Sequence, residues 1–365
     1  MGAKNKGNFL NNLTFIIPFI LTVFGIFMIY EASSISASRI FNDTFYFVKH
    51  QSGWLVLAIG VFLLFYNLDY HLLHGFSLLM LLGNLFLLLL VFLPGLYSEV
   101  LGAKRWLNIG GFRLQPSEFT KLTLIVYLSA WFTNKEKERF LAFILLTSVL
   151  IGLVMLQPDM GTAFILGAMA SFLYFLSGAP LSHFLILFSG ALSIGGLMIL
   201  TSPYRLQRVI TFLNPASDLQ GIGYHINQIN IALSLGGWFG VGFGNSRQKF
   251  QFLPEAHTDS IFAIIGENFG LIGTSLILGA YIVFFIHTFK QIREVKDRLG
   301  FLLGSGILLL ILLQVLVNLG AMVQLLPLTG IPLPFISYGG SSLLTFYALI
   351  GILANIIKHN KRHAK

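Results

Sequence analysis

FLPEAHTDSIFAIIGENFGLIGTSLILGAYIVFFIHTF, residues 252–289, joins a cluster of polar residues to a long apolar run. Glu255, His257, Thr258 and Asp259 stand immediately before the run, and a second carboxylate, Glu267, lies inside it. The run exceeds the ~20 residues that a helix needs to cross the hydrocarbon core of a bilayer. Ionisable side chains at or below a bilayer surface are costly, so they usually serve a function. This stretch therefore predicts a transmembrane helix with functional residues at its start.

The composition extends this prediction to the whole chain. Of 365 residues, 56% are hydrophobic and 10% are charged, whereas a soluble domain carries about 25% charged residues. The formal net charge is +9, but the basic residues are scattered among apolar runs, which does not favour nucleic-acid binding. The chain contains no cysteine, which excludes disulfides, cysteine nucleophiles and cysteine-ligated metals.

Ten apolar runs predict an all-α integral membrane protein with about ten transmembrane helices, arranged as a single polytopic domain over residues 1–365. The runs are 13–31, 51–66, 72–93, 116–133, 140–156, 159–177, 182–201, 259–289, 301–326 and 341–357. The first run is long for a signal peptide and lacks an A-x-A site after it, so we expect it to be retained.

The loops predict the orientation of the chain. Short basic connections, such as the one at residues 134–139, and the basic tail 358–365 place both termini in the cytoplasm. Large extracellular loops then separate helices 3 and 4 and helices 7 and 8; the second, residues 202–258, is predicted to be an inserted structured loop. Long loops on one face are where binding and catalysis tend to occur.

Polar clusters precede the helices that enter from the outer face. Helix N-termini carry free N–H groups and the positive end of the helix dipole, which suits phosphate and other anions. Basic residues in the same outer loops strengthen the prediction of an anionic substrate: Lys104, Arg105, Arg113, Arg205, Arg208, Arg247 and Lys249.

Several of these residues have a structural explanation as well as a functional one. Asp159 suits the first turn of its helix as well as it suits a ligand. Glu118 and Lys121 are three residues apart and can pair on one helix face. Because exposed pairs contribute little and charges in a membrane are costly, we favour a functional pair.

The polar residues before the eighth helix also leave alternatives open. Asp259 or Thr258 could cap the helix, although no capping box supports a cap, and cap and catalysis are equally supported for Asp259. His257 is either a second titrating group or a satisfied hydrogen-bond partner. Glu267 is either a buried hydrogen-bonding group or a proton site.

The glycine-rich run 236–244 lacks the Lys-Ser/Thr ending of a nucleotide loop, so we predict flexible backbone or close loop packing there.

Together these segments resemble the SEDS family of bacterial cell-wall proteins over essentially the whole chain. The resemblance rests on five segments: GAKRWLNIGGFRLQPSEFTKL (102–122), LQPDMGTA (156–163), YRLQR (204–208), FLPEAHTDSIFAIIGENFG (252–270) and LLPLTGIPLPFISYGGSS (325–342). The PEAHTD form and the YFVKHQ segment (46–51) are closer to the division members of the family than to the elongation members.

The resemblance implies a peptidoglycan glycosyltransferase that polymerises lipid II on the outer face of the bacterial cytoplasmic membrane. It implies Asp259 as the general base toward the acceptor sugar hydroxyl. The candidate substrate-binding residues are Glu118, Lys121, Arg205, Arg208, Lys104, Arg105, Glu255, His257, Thr258, Asp159 and Ser337. The implied partners are a class B penicillin-binding protein transpeptidase and other division or elongation membrane proteins. No metal-ligand cluster is predicted, and Mg²⁺ or Mn²⁺ is the one cofactor considered.

Two alternatives compete with this reading. A lipid II flippase needs polar groups near the membrane midplane, where the chain offers Asn84, Gln314, Asn318 and Glu267. A non-catalytic division scaffold has no need of Asp259 beside Glu255 and the outer arginines.

Overall fold

The computed structural model describes residues 2–100, 103–109, 112–134, 138–218, 220–250 and 252–363. Side chains are described from residue 13 to residue 361 within those ranges, except at 98–100, 103, 104, 109, 112, 204 and 249. The chain forms two compact units. Unit 1 comprises Met1–Trp54, Ala191–His287 and Gln314–Gly339, and unit 2 comprises Leu55–Gly190, Thr288–Leu313 and Gly340–Lys365.

The described residues form twelve α-helices, and each of the ten predicted apolar runs falls mostly on one of them. The helices are α1 (Gly2–Phe41), α2 (Tyr46–Asn67), α3 (Leu72–Leu90), α4 (Pro116–Trp131), α5 (Phe140–Leu156), α6 (Met160–Leu176), α7 (Leu181–Leu200), α8 (Pro203–Leu213), α9 (Ile222–Gly236), α10 (Ile261–Arg293), α11 (Arg298–Met322) and α12 (Gly340–His363). Two 3-10 turns follow α8 and α9, at Pro215–Ser217 and Gln248–Phe250.

Seven helices in the described part of the chain are long and apolar enough to cross a membrane, and α5 and α6 are shorter apolar helices. The chain is therefore a multi-pass membrane protein, and the predicted all-helical class is confirmed.

A three-stranded antiparallel sheet between α3 and α4 was not predicted from the sequence. It consists of β1 (Tyr97–Val100), β2 (Ala103–Ile109) and β3 (Phe112–Leu114), in the order β1-β2-β3. Its strands are short, so they lack the length over which alternation of apolar and polar residues becomes recognisable.

The loop between α7 and α10 is structured and contains α8 and α9. Its glycine run packs against α10, which is broken at Gly270, where φ is 62° and ψ is −160°. The backbone N–H groups of Val241 and Gly242 donate to Glu267 O (2.9 Å) and Asn268 O (3.1 Å). A Cβ atom on Gly236 would stand 1.9 Å from Gly266 O, so only glycine allows this approach. The structure thus shows close loop packing, one of the two alternatives predicted for the run.

Helix α4 lies at the centre of unit 2, and most of its residues are buried. It packs against α3, α6 and α12. Any charge on this helix is therefore enclosed by protein, which decides the environment of Glu118 and Lys121.

Candidate active site

The start of α10 places Asp259 just outside the helix. The helix begins at Ile261, so Ser260 stands immediately before it and Asp259 lies one residue further out. The N–H of Ser260 donates to Glu255 O (3.1 Å), and the carbonyl of Ser260 accepts from the N–H of Ala263 (2.9 Å). The residue that adjoins the helix is thus neither of the two capping candidates, Thr258 and Asp259.

A tight turn precedes Asp259. The hydroxyl of Thr258 donates to Glu255 Oε2 (2.7 Å), and the N–H of Thr258 donates to Glu255 O (3.2 Å). Glu255 is exposed and has a φ of 50°, a conformation that is uncommon for residues other than glycine. Glu255 and Thr258 therefore lie together, and their hydrogen bonds close the turn that leads into Asp259.

The backbone of Asp259 is held by a side chain from another helix. Asn318 on α11 donates through Nδ2 to Asp259 O (2.9 Å) and to Ile331 O (2.8 Å). A Cβ atom on Gly330 would stand 3.3 Å from Asp259 Oδ2, so the segment around Gly330 lies beside the carboxylate. One amide group thus connects the Asp259 turn to the segment after α11.

A histidine on α9 contacts the residue after Asp259. His225 Nε2 lies 2.7 Å from Ser260 Oγ, and Ser260 is fully buried. Burial lowers the pKa of His225 to about 4; Glu255 opposes the shift and Arg208 adds to it. His225 is therefore neutral at pH 7, and Arg208, Glu255 and His225 lie close enough to influence one another.

His257 belongs to an aromatic group in unit 1. Its ring lies 4.3 Å from Phe47 and 5.5 Å from Tyr338, measured between centroids. Its carbonyl accepts from the N–H of Tyr338 (2.9 Å). Burial lowers the pKa of His257, and Glu255 opposes that shift. The nearby Ser337 hydroxyl accepts from the N–H of Leu333 (2.8 Å), so it helps to form a turn.

Two predicted phosphate-binding residues lie on α8. Arg205 Nη1 donates to Met198 O (3.4 Å), and Arg208 Nη1 donates to Leu328 O (3.3 Å). Both side chains are partly exposed. Their phosphate contacts stay a prediction.

In unit 2, Glu118 and Lys121 form the pair that their spacing predicts. Lys121 Nζ lies 2.6 Å from Glu118 Oε1, and the two side chains are only 1% and 4% exposed. Oε2 of Glu118 is buried and has no hydrogen-bond partner among the described residues. A pair this deeply buried is not an exposed helix stabiliser, and its second oxygen retains an open acceptor.

Asp159 caps α6. Its Oδ1 accepts from the N–H of Thr162 (3.1 Å), and its Oδ2 accepts from the Thr162 hydroxyl (2.9 Å). Arg105 on β2 donates through Nε to Gln157 O (2.8 Å) and through Nη2 to Pro158 O. The structural explanation for Asp159 is therefore observed, while its substrate contact stays a prediction. The side chain of Lys104 lies outside the described residues.

Glu267 has a structural role. It is fully buried and accepts from the N–H of Arg247 (2.8 Å), the N–H of Gln248 (3.4 Å) and the hydroxyl of Ser246. The carboxylate therefore anchors the segment after the glycine run. Asn84, which donates to Thr120 Oγ1 (2.8 Å), likewise holds local structure. Asn318 is used in the same way, whereas the buried amide of Gln314 has no hydrogen-bond partner among the described residues.

Sequence reasoning missed His225 and Ser260. The only signal for either is its residue type in a segment that is predicted to lie outside, and their contact spans 35 positions of the chain. Among the described residues, no group of three or more His, Asp or Glu side chains is arranged to hold a metal ion.

Comparison with known proteins decides the family. The FtsW/RodA/SpoVE family model, described as cell cycle protein, matches residues 11–362. The chain belongs to this family.

Curated relatives match the FtsW/RodA/SpoVE chain over nearly its whole length. It is 40% identical to the probable peptidoglycan glycosyltransferase FtsW of Trichlorobacter lovleyi, over 92% of this chain and 90% of the relative. It is 37% identical to stage V sporulation protein E of Bacillus subtilis, over 96% of this chain and 97% of the relative.

Solved structures share the fold. A chain from a peptidoglycan synthase complex, studied for the coordination of polymerization and crosslinking, superposes with a TM-score of 0.80 at 26% identity, covering 95% of this chain and 97% of that chain. The rod shape determining protein RodA of Thermus thermophilus superposes with a TM-score of 0.70 at 24% identity, covering 95% and 96%.

Proposed function

We propose that this FtsW/RodA/SpoVE protein is a peptidoglycan glycosyltransferase that polymerises lipid II into glycan strands, with Asp259 as the general base. The observation that carries the proposal is the 40% identity, over 92% of the chain, to a relative named as a probable peptidoglycan glycosyltransferase. The geometry around Asp259 is compatible with it, because the carboxylate lies outside the helix and next to a turn of polar residues.

In the proposed reaction, Asp259 takes the proton from the 4-hydroxyl of the acceptor sugar. The acceptor oxygen forms a bond to the anomeric carbon of the donor, and the bond from that carbon to the pyrophosphate breaks. The electron pair leaves with the lipid pyrophosphate. Arg205 and Arg208 are proposed to stabilise the departing charge, since an arginine can donate two parallel hydrogen bonds to phosphate.

The proposal includes a setting and partners. The protein lies in the bacterial cytoplasmic membrane with Asp259 on the outer side, where lipid II is polymerised. It acts with a class B penicillin-binding protein that supplies crosslinking, as the related synthase complex of polymerization and crosslinking suggests. The FtsW relatives favour a role in septal synthesis, with other division proteins as neighbours.

A divalent cation, Mg²⁺ or Mn²⁺, is proposed only as a ligand of the substrate pyrophosphate. Its role there would be to neutralise charge on the departing phosphates, a task that it would share with Arg205 and Arg208.

The experiment is a polymerisation assay of purified protein and its transpeptidase partner with lipid II, in the presence and absence of a chelator. We expect Asp259→Ala to abolish glycan strands while complex formation is retained. Polymer formed by Asp259→Ala at the wild-type rate would rule out the base assignment. Movement of labelled lipid II across vesicles by the same variant, without polymer, would favour the flippase.

A further inference from the structure

We propose that His225, through its hydrogen bond to Ser260, is a positioning residue that holds Asp259 in its catalytic orientation. This inference rests on the proposed function of Asp259. No step of the proposed reaction uses His225 directly.

The contact between His225 and Ser260 lies directly beside Asp259. Ser260 is the residue between Asp259 and the first residue of α10. Its backbone is already engaged on both sides, with Glu255 O and with the N–H of Ala263. The side-chain bond to His225 adds a third constraint, at 2.7 Å. A displacement of Ser260, and with it of the peptide that joins Ser260 to Asp259, would therefore break a short hydrogen bond in a buried place.

A neutral imidazole has one donor nitrogen and one acceptor nitrogen, so it can bond to a hydroxyl in either tautomer. A buried polar group that loses its partner carries a desolvation cost, which makes the pair favourable only when both members are in place. The contact is therefore specific to the geometry in which α9 meets the start of α10.

Helix α9, which carries His225, packs against α10 at a second place. Its last residue, Gly236, packs on Gly266 of α10, and the glycine run that follows bonds to the broken part of that helix. Two separate contacts thus fix α9 against α10: one at Gly236, and one at His225. The contact at Gly236 sets the distance between the helices, and the contact at His225 transmits it to the residue next to Asp259.

The amide of Asn318 holds the carbonyl of Asp259 at 2.9 Å from the other side of the turn. Asn318 from α11 therefore holds Asp259, and His225 from α9 holds Ser260. Since a displacement of about 1 Å can cost about 100-fold in rate, a device that fixes this peptide has a direct effect on turnover.

The test compares wild type, His225→Leu, His225→Gln and Ser260→Ala in the polymerisation assay with the full chain and its partner. We expect His225→Leu and Ser260→Ala to lower kcat about tenfold with little change in KM, the size of one lost hydrogen bond. We expect His225→Gln to recover most of the rate, because an amide can bond to the serine hydroxyl. The double variant His225→Leu/Ser260→Ala should lose no more than either single variant.

The outcomes separate the two proposals. If Asp259→Ala is inactive while His225→Leu and Ser260→Ala both polymerise at the wild-type rate, the positioning role is wrong and the proposed function stands. If Asp259→Ala is fully active, the function itself fails. An inactive His225→Gln that folds normally would contradict positioning, because it would indicate proton transfer by the ring. Should His225→Leu fail to fold, Ser260→Ala, which removes a single oxygen atom, decides the matter.

Discussion

Asp159 and Asp259 are both aspartates at the start of an apolar helix, yet the structure uses them differently. Asp159 occupies the position next to α6, and both of its carboxylate oxygens accept hydrogen bonds from Thr162 in the first turn. Asp259 lies one residue further from its helix, and two side chains from other helices help to hold its turn: Asn318 on α11 and, through Ser260, His225 on α9.

The difference lies in the residues that order the start of each helix. The helix after Asp159 is stabilised by its own aspartate, so that carboxylate is committed. The start of α10 is ordered by hydrogen bonds within its own turn, where Ser260 and Thr258 donate to Glu255, and by His225 and Asn318 from other helices. The position of an aspartate before an apolar helix therefore does not by itself decide whether that aspartate caps the helix.

Asparagine at position 259 and asparagine at position 159 should differ most in their effect on the polymerisation rate. Asparagine caps a helix about as well as aspartate, but it cannot act as a base. We expect Asp259→Asn to lower the polymerisation rate by about 10²–10⁴-fold, the usual contribution of a general base. We expect Asp159→Asn to lower the rate less than tenfold and to leave the unfolding temperature unchanged.

The control for this contrast is alanine at position 159. Loss of the cap should cost about 1 kcal/mol of folding free energy, seen as a lower unfolding temperature. A loss of activity in Asp159→Asn as large as in Asp259→Asn would show that Asp159 also acts on the substrate, and the distinction between the two aspartates would disappear.

The sequence predicts the helices and the Glu118–Lys121 pair much better than it predicts the contacts around Asp259. Apolar runs mark the helices because lipid demands long apolar segments, and the spacing of Glu118 and Lys121 predicts their pairing because both lie on one helix. The sequence does not decide whether Asp159 is a helix cap or a substrate ligand, since both roles need the same residue type. The contacts around Asp259 are beyond such reasoning: Asn318 is 59 positions from Asp259, and His225 is 35 positions from Ser260. Only tertiary packing brings these side chains together.

A substitution at Gly236 tests whether the packing of α9 holds the start of α10 in place. In Gly236→Ala, the new Cβ atom would stand 1.9 Å from Gly266 O, so the backbone must move. We expect a destabilisation of about 1–3 kcal/mol, as for other overpacked sites. We also expect a lower polymerisation rate, because α9 carries His225. Thermal unfolding and the polymerisation assay measure the two effects.

Gly60→Ala is the matched control. Gly60 lies inside α2, and a Cβ atom there would meet nothing within 4 Å. Alanine favours helix by about 1 kcal/mol over glycine, so this variant should be as stable as wild type or more stable. Equal behaviour of the two variants would mean that the contact between Gly236 and Gly266 does not hold the start of α10.

The smallest expected effect is a pH dependence of the free energy of unfolding, caused by His225 beside the start of α10. The pKa of His225 falls from 6.5 to about 4 on folding, because burial disfavours the charged ring. Between these values the unfolded chain binds more protons than the folded one, so the free energy of unfolding decreases as pH falls from 6.5 toward 4 and is independent of this group above 6.5. The slope from one such group is at most about 1.4 kcal/mol per pH unit. His257 contributes in the same direction, since burial lowers its pKa as well.

Unfolding temperatures between pH 5 and pH 8 test this dependence above the range in which ordinary carboxylates titrate. We expect His225→Gln to make the decline below pH 6.5 shallower, because glutamine cannot take up a proton. His74→Gln, which changes an exposed histidine on α3, should leave the curve as it is in wild type. A decline that His225→Gln does not alter would place the proton uptake at other groups.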